Sequence, residues 1–301
     1  MSPGFDLEEY LAREAPRIQV ALERATAWIG ERVAPDVAAA VRHGVLSEGK
    51  RLRPVLCVTA WRACGGGDGD AAYDLAASPE LIHAYSLMHD DLPCMDDAEL
   101  RRGRPTTHRI HGEDVTLRAG AALIPAAALQ AWQAARALGC PPEVARAVVG
   151  RLLEAAGGGG MVGGQWVDLE GEGRALGGEA LDGLHRRKTG ALLAASLLMG
   201  ATAARAPAAT LEALERYGWA VGLAFQITDD ILDATRSAEE LGKNPSDAAL
   251  GKSTYVALYG LGEAERRARA KAEEARAALA ASGLRAPALD ALALYVVERR
   301  R

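Results

Sequence analysis

The chain has very little aromatic side chain, with two phenylalanines and an aromatic share of 5% across 301 residues. Long stretches are built instead from Ala, Leu, Glu and Arg, the strongest helix formers, which predicts an all-helical fold. A basic excess is also missing. The formal charge is -5 and the pI about 5.8, so no global positive field is available for nucleic acid or an anionic membrane surface. No apolar run is long enough to span a bilayer, and Met1 to Asp6 carries no basic-then-apolar leader. The four cysteines, Cys57, Cys64, Cys94 and Cys140, lack metal-ligand spacing, so reduced, buried thiols in a cytoplasmic protein are expected.

Helical periodicity runs almost throughout. It breaks at Gly65 to Asp70, Gly139 to Pro142, Gly157 to Gly160, Gly171 to Gly173, Ala206-Pro207 and Ser282-Gly283. None of these breaks is long or polar enough for a linker, and no fixed-period repeat appears. The expectation is one domain over 1–301, a bundle of roughly ten core helices. The glycines at 157–164 lack the Gly-Lys-Ser/Thr ending of a phosphate loop and any preceding strand. They read as a helix break or a close helix approach.

What is abundant is clustered aspartate. His89-Asp90-Asp91-Leu92-Pro93-Cys94-Met95-Asp96-Asp97 and Gln226-Ile227-Thr228-Asp229-Asp230-Ile231-Leu232-Asp233 both lie in apolar, helix-favouring sequence. Buried carboxylates there are costly unless a cation meets them. Asp229 and Asp233 are four apart and so share a helix face, with Gln226 on the same stripe. In the first cluster Pro93 ends the helix near Leu92, and the loop is expected to bring Asp96 back toward Asp90. Hard divalent cations take such oxygens, which predicts Mg²⁺. Basic residues complete the pattern: Lys50 and Arg53, expected on one helical face, then Arg101, Arg102 and Arg104 directly after the first cluster, with Lys188, Lys243 and Lys252 further on. Metal-binding acids beside arginine forks suit a diphosphate.

With these blocks in place, the sequence resembles the trans-isoprenyl diphosphate synthases, or polyprenyl synthetases. The matching motifs are Gly49 to Pro54, His83 to Pro105, Gly163-Gly164-Gln165 with Asp168, His185 to Gly190, Phe225 to Asp233 and Gly251 to Tyr255, in the family's order across nearly the whole chain. The resemblance implies the all-α isoprenoid synthase fold, a homodimer, and a central cavity between two aspartate-bearing helices. It implies Asp90, Asp96 and Asp229 as direct ligands of three Mg²⁺ ions, with Asp91, Asp230 and Asp233 acting through water. Arg101, Lys188 and Lys243 would contact the allylic diphosphate. Lys50, Arg53, His83 and Arg102 would hold isopentenyl diphosphate, and Thr189 and Gln226 would face the allylic cation.

Departures from the commonest pattern are Gly120-Ala121-Ala122-Leu123, where an acid is lost, the loop Lys243 to Asp247, and Pro79, which is expected to make the first catalytic helix begin at Glu80. Tyr85, five residues before Asp90, lies about 7.5 Å deeper along that helix. An aromatic there resembles bacterial farnesyl diphosphate synthases, so farnesyl diphosphate is the expected product. Local similarity to carotenoid-pathway enzymes makes geranylgeranyl diphosphate the alternative. A terpene cyclase would not need Lys50, Arg53 and a second intact aspartate motif, and a non-catalytic subunit should have lost aspartates.

Overall fold

The computed structural model describes residues 5–171, 173, 176–236 and 253–299. These form fourteen α-helices: α1 (Leu7–Gly30), α2 (Pro35–Val45), α3 (Leu52–Ala63), α4 (Asp70–Asp90), α5 (Thr107–His111), α6 (Glu113–Ala137), α7 (Pro142–Ala156), α8 (Met161–Glu170), α9 (Gly178–His185), α10 (Ala191–Ala203), α11 (Ala208–Thr235), α12 (Tyr255–Tyr259), α13 (Leu261–Ser282) and α14 (Pro287–Glu298). A π-helical turn, Arg186–Gly190, joins α9 to α10, and a small hairpin pairs β1 (Leu100–Arg101) with β2 (Arg104–Pro105). Eleven of the helices are ten residues or longer, close to the expected ten. The helix ends fall at the glycine and proline breaks read from the sequence, and Pro35, Pro142 and Pro287 each open a helix, where the missing N–H is not needed.

α10, apolar on every side, is buried along all of its length except Thr202, as expected for the centre of a bundle. It packs on α3, α7 and α11, while α4 packs on α3 and α6, and α11 on α13. α13 turns a single stripe inward, Ala264, Ala268, Ala272, Ala275 and Leu279, with charged residues on its outer side. The core is continuous from Tyr10 to Val296.

Three expectations need correction. α4 does not begin at Glu80, since it runs unbroken from Asp70 with Pro79 inside it. Residues 75–82 are all buried, and packing on several sides outweighs the roughly 3 kcal/mol penalty of an interior proline. Lys50 and Arg53 do not share a helix, because Arg51 adopts a left-handed conformation (φ 48°) and α3 starts only at Leu52. The thiols are unpaired, but only Cys57 and Cys140 are buried, whereas Cys94 is exposed in the turn after α4.

Candidate active site

The C-terminal half of α4 and the C-terminal half of α11 line one cavity of about 840 Å³, and each delivers one aspartate cluster to it. Asp90, Asp96, Asp97, Asp229, Asp230 and Asp233 all line the wall, together with Lys188, Thr189, Gln226 and Arg101. The loop after α4 folds back as expected: Asp96 N–H donates to Asp90 O at 2.9 Å and Ala98 N–H to Asp91 O at 3.2 Å. Asp97 makes this possible by taking positive φ (46°), a conformation that Asp tolerates better than most side chains. The helix ends at Asp90 rather than Leu92.

The hairpin that follows was not legible as strand. Its two-residue turn, Arg102 (φ 55°) and Gly103 (φ 74°), has the double positive φ of a type I′ turn. Arg101 closes on Asp91 with Nε at 2.8 and 2.9 Å and Nη2 at 2.5 Å. Arg102 turns the other way, to the carbonyl of Glu48 and toward Ser47. The sequence-predicted allylic and isopentenyl contacts are thus sent to different sides by neighbouring residues.

Lys188 and Thr189 sit on the π-helical turn, a feature that side-chain periodicity does not signal. Close backbone contacts hold it in place. A Cβ on Gly164 of α8 would lie 2.3 Å from Lys188 N, and one on Gly222 of α11 would lie 2.7 Å from Gly190 Cα. Gly164 serves close helix approach, as expected, while Gly222 was not read in the sequence. Lys188 Nζ donates to Asp168 Oδ2 at 2.5 Å, and Thr189 Oγ1 donates to Gln226 Oε1 at 2.7 Å.

Two turns before Asp90 on the same face of α4, His83 lines the cavity together with Arg53 of α3, near Arg102 and Arg51. Burial first, then the charges of Arg53, Arg102, Arg101 and Arg51, holds the His83 imidazole well below its usual pKa, and it is neutral. Burial lowers Arg53 to about 10, opposed by Glu80, so it stays cationic. Lys50 is exposed and lies just outside the first turn of α3. Lys243 and Lys252 lie outside the described residues.

Burial pushes Asp90 up to about 6; Lys188 and Arg101 oppose the rise while Asp96 and Asp91 add to it. Among the described residues six aspartates and Glu99 line the wall with Arg53, Arg101 and Lys188, and carboxylate oxygens are the ligand type of hard divalent cations. Among the described residues no three acids lie close enough to enclose a cation alone. Mg²⁺ does not require this, since it commonly takes one or two carboxylates and completes its shell with water and substrate phosphate. The residues fit the ion on those terms.

Three features went unread in the sequence. Arg299 of the C-terminal segment donates to Asp229 Oδ1 at 2.6 Å and to Phe225 O at 3.0 Å, with its guanidinium 3.9 Å from the Phe225 ring centroid. Asp230 accepts the backbone N–H of Tyr255 at 2.8 Å. Gln165, quoted only as part of a motif, lines the cavity with both amide atoms buried and lacking a hydrogen-bond partner among the described residues. A buried, unpaired carboxamide in a cavity wall is the one sign that could have marked it as a ligand contact.

The Polyprenyl synthetase family model matches residues 34–282. The chain belongs to that family. Among curated relatives, geranylgeranyl pyrophosphate synthase 9 of Arabidopsis thaliana, a chloroplastic protein, is 39% identical over 301 residues, which is 98% of this chain and 82% of the relative. A solved FPP/GFPP synthase from Zymomonas mobilis superposes with a TM-score of 0.80 at 32% identity, covering 95% of this chain and 99% of that one. The geranyltransferase of Helicobacter pylori, solved with magnesium and isoprenyl diphosphate, gives a TM-score of 0.79 at 30% identity over 99% and 98%. This polyprenyl synthetase therefore has the all-α isoprenoid synthase fold and is a trans-prenyltransferase of the short-chain class. No helix among the described residues is long and apolar enough to cross a membrane.

Proposed function

We propose that the chain, as a single domain over 1–301, condenses isopentenyl diphosphate with dimethylallyl or geranyl diphosphate to make farnesyl diphosphate in a Mg²⁺-dependent reaction. The observation that carries this reading is the arrival of two aspartate clusters at one cavity with Arg53, Arg101 and Lys188. Asp90, Asp96 and Asp229 would hold magnesium, in three ions as the family resemblance implies, with Asp91, Asp230 and Asp233 behind them. Bound magnesium supplies charge neutralisation for a departing diphosphate. Lys188 and Arg101, with Lys243 outside the described residues, would share the allylic diphosphate, each already placed at the acid wall by an aspartate partner.

Lys50, Arg53 and Arg102 would take the isopentenyl diphosphate, with neutral His83 among them as a hydrogen-bonding group. The allylic C1–O bond breaks with its electron pair leaving on diphosphate. The isopentenyl double bond then forms the new bond to C1, and the proton lost from the adjacent carbon passes to the released diphosphate. The Thr189–Gln226 dipole pair faces the allylic cation, and Met161 and Phe225 add apolar wall to the same cavity.

Farnesyl is favoured because Tyr85 lines the cavity and stands edge-on to His89, with ring centroids 5.0 Å apart, so an aromatic ring narrows the space below Asp90. The alternative, geranylgeranyl diphosphate, is favoured by the name of the Arabidopsis relative. Product chromatography with dimethylallyl, geranyl and farnesyl diphosphate as separate primers decides between them. Growth that stops at farnesyl, with the farnesyl primer inert, bears out the proposal, and extension of that primer rejects it. The protein would act as a homodimer in the cytoplasm; free thiols fit a reducing compartment.

A further inference from the structure

Beneath the basic group assigned above to isopentenyl diphosphate lies one buried carboxylate with no part in the chemistry. Glu80 is on α4, ten residues before Asp90 and so about 15 Å along the axis, and its side chain is 4% exposed. Its Oε1 accepts from Arg51 Nη1 at 2.8 Å, while Arg51 Nη2 donates to Ser47 O at 2.5 Å. Arg51 stands between Lys50 and the helix carrying Arg53, and its backbone is left-handed, φ 48° and ψ 36°. A long side chain takes that conformation only where its surroundings over-determine it. The two ends of its guanidinium, tied to Ser47 and Glu80, are that constraint.

The same carboxylate faces the rest of the cluster. It opposes the lowering that burial imposes on Arg53 and Arg102. Among the described residues its Oε2 is buried without a hydrogen-bond partner, as is Arg53 Nε. Arg102 lies across the same loop, and a Cβ on Gly49 would come within 2.5 Å of its Nη1. Arg51 thus ties the loop that carries Lys50, and against which Arg102 packs, to α4.

We propose that Glu80 is a positioning residue for the isopentenyl diphosphate site, pinning Arg51 in the left-handed conformation that presents Lys50 and Arg53 to the substrate. The inference rests on the assignment of those cations to isopentenyl diphosphate. A bare counter-charge would act with the opposite sign, since removing a negative charge from an anion site tightens anion binding.

The test is steady-state kinetics with each substrate varied in turn. Glu80→Ala should raise KM for isopentenyl diphosphate by about tenfold, the scale of coupling between contacting side chains, with allylic KM and kcat within about twofold. Arg51→Gly, which keeps left-handed backbone accessible but loses the anchor, should do the same, and the double variant should be no worse than the stronger single one. Glu80→Gln keeps an acceptor for Arg51 and should largely restore KM. A fall or no change in isopentenyl KM for Glu80→Ala, an equal rise for both substrates, or additive effects in the double variant would overturn the proposal. If Glu80→Ala does not fold, Arg51→Gly carries the same test, with Glu80→Gln expected to add nothing to it. Arg53→Ala is measured in parallel. If it raises isopentenyl KM while Arg51→Gly and Glu80→Ala do not, only the Glu80 role falls, and if it has no effect the site assignment and the Glu80 role fall together.

Discussion

Asp90 and Asp229 face the same cavity from different helices, Asp90 beside Asp96 and Asp91 and Asp229 paired with Arg299. Replacing either by Ala should lower turnover by about 10²-fold or more, the scale of losing one preorganised contact to developing charge. The helical circular dichroism should be unchanged, because neither side chain fills the core. Near-normal turnover in both variants would reject their role. Tyr85 is a wall residue, half-buried against His89, which is fixed in turn by its Nε2 donating to Leu117 O at 3.2 Å and by the bare Cα of Gly120. Truncation to Ala should therefore cost less than the about 3–5 kcal/mol of an enclosed aromatic. It should also let geranyl-primed products grow past farnesyl, because the opened space accepts another apolar unit. An unchanged product distribution would return Tyr85 to a packing role.

At the level of elements, α10 lies so close to α3 that a Cβ on Gly200 would meet Cys57 O at 2.1 Å and Trp61 N at 2.9 Å. Gly200→Ala should lower stability by about 1–3 kcal/mol through overpacking, read as a fall in the denaturant midpoint. An unchanged midpoint would show that the pair can separate without cost. Helix ends were legible because glycine and proline act locally, as at Gly139 to Pro142, and the folded-back Asp96 followed from Pro93. Pro79 was misread because its penalty is local while the packing that offsets it comes from other helices. Lys50 was misplaced on a helix face with Arg53 because a left-handed arginine between them leaves no trace in composition, and the partner of that arginine, Glu80, is 29 residues away. The π-helical turn depends on contacts with Gly164 and Gly222, and the Asp229–Arg299 pair joins residues 70 apart, so neither has a period to read.

Across the whole molecule, the outer side of α6 carries Leu117, Leu129 and Trp132 and the neighbouring α7 carries Leu153, each between 36% and 51% exposed. Exposed apolar side chains on two neighbouring helices suit burial against a second copy. Sedimentation equilibrium should give twice the 31.6 kDa chain mass, and a monomer at micromolar concentration would contradict the homodimer. The reaction itself is tested most directly by following diphosphate release from the purified chain given dimethylallyl diphosphate alone, isopentenyl diphosphate alone, and both together, with Mg²⁺ and then with EDTA. Condensation predicts release only when both substrates and Mg²⁺ are present, with one diphosphate freed for each isopentenyl unit incorporated. Release from the allylic substrate alone at the same rate, or undiminished turnover in EDTA, would contradict it.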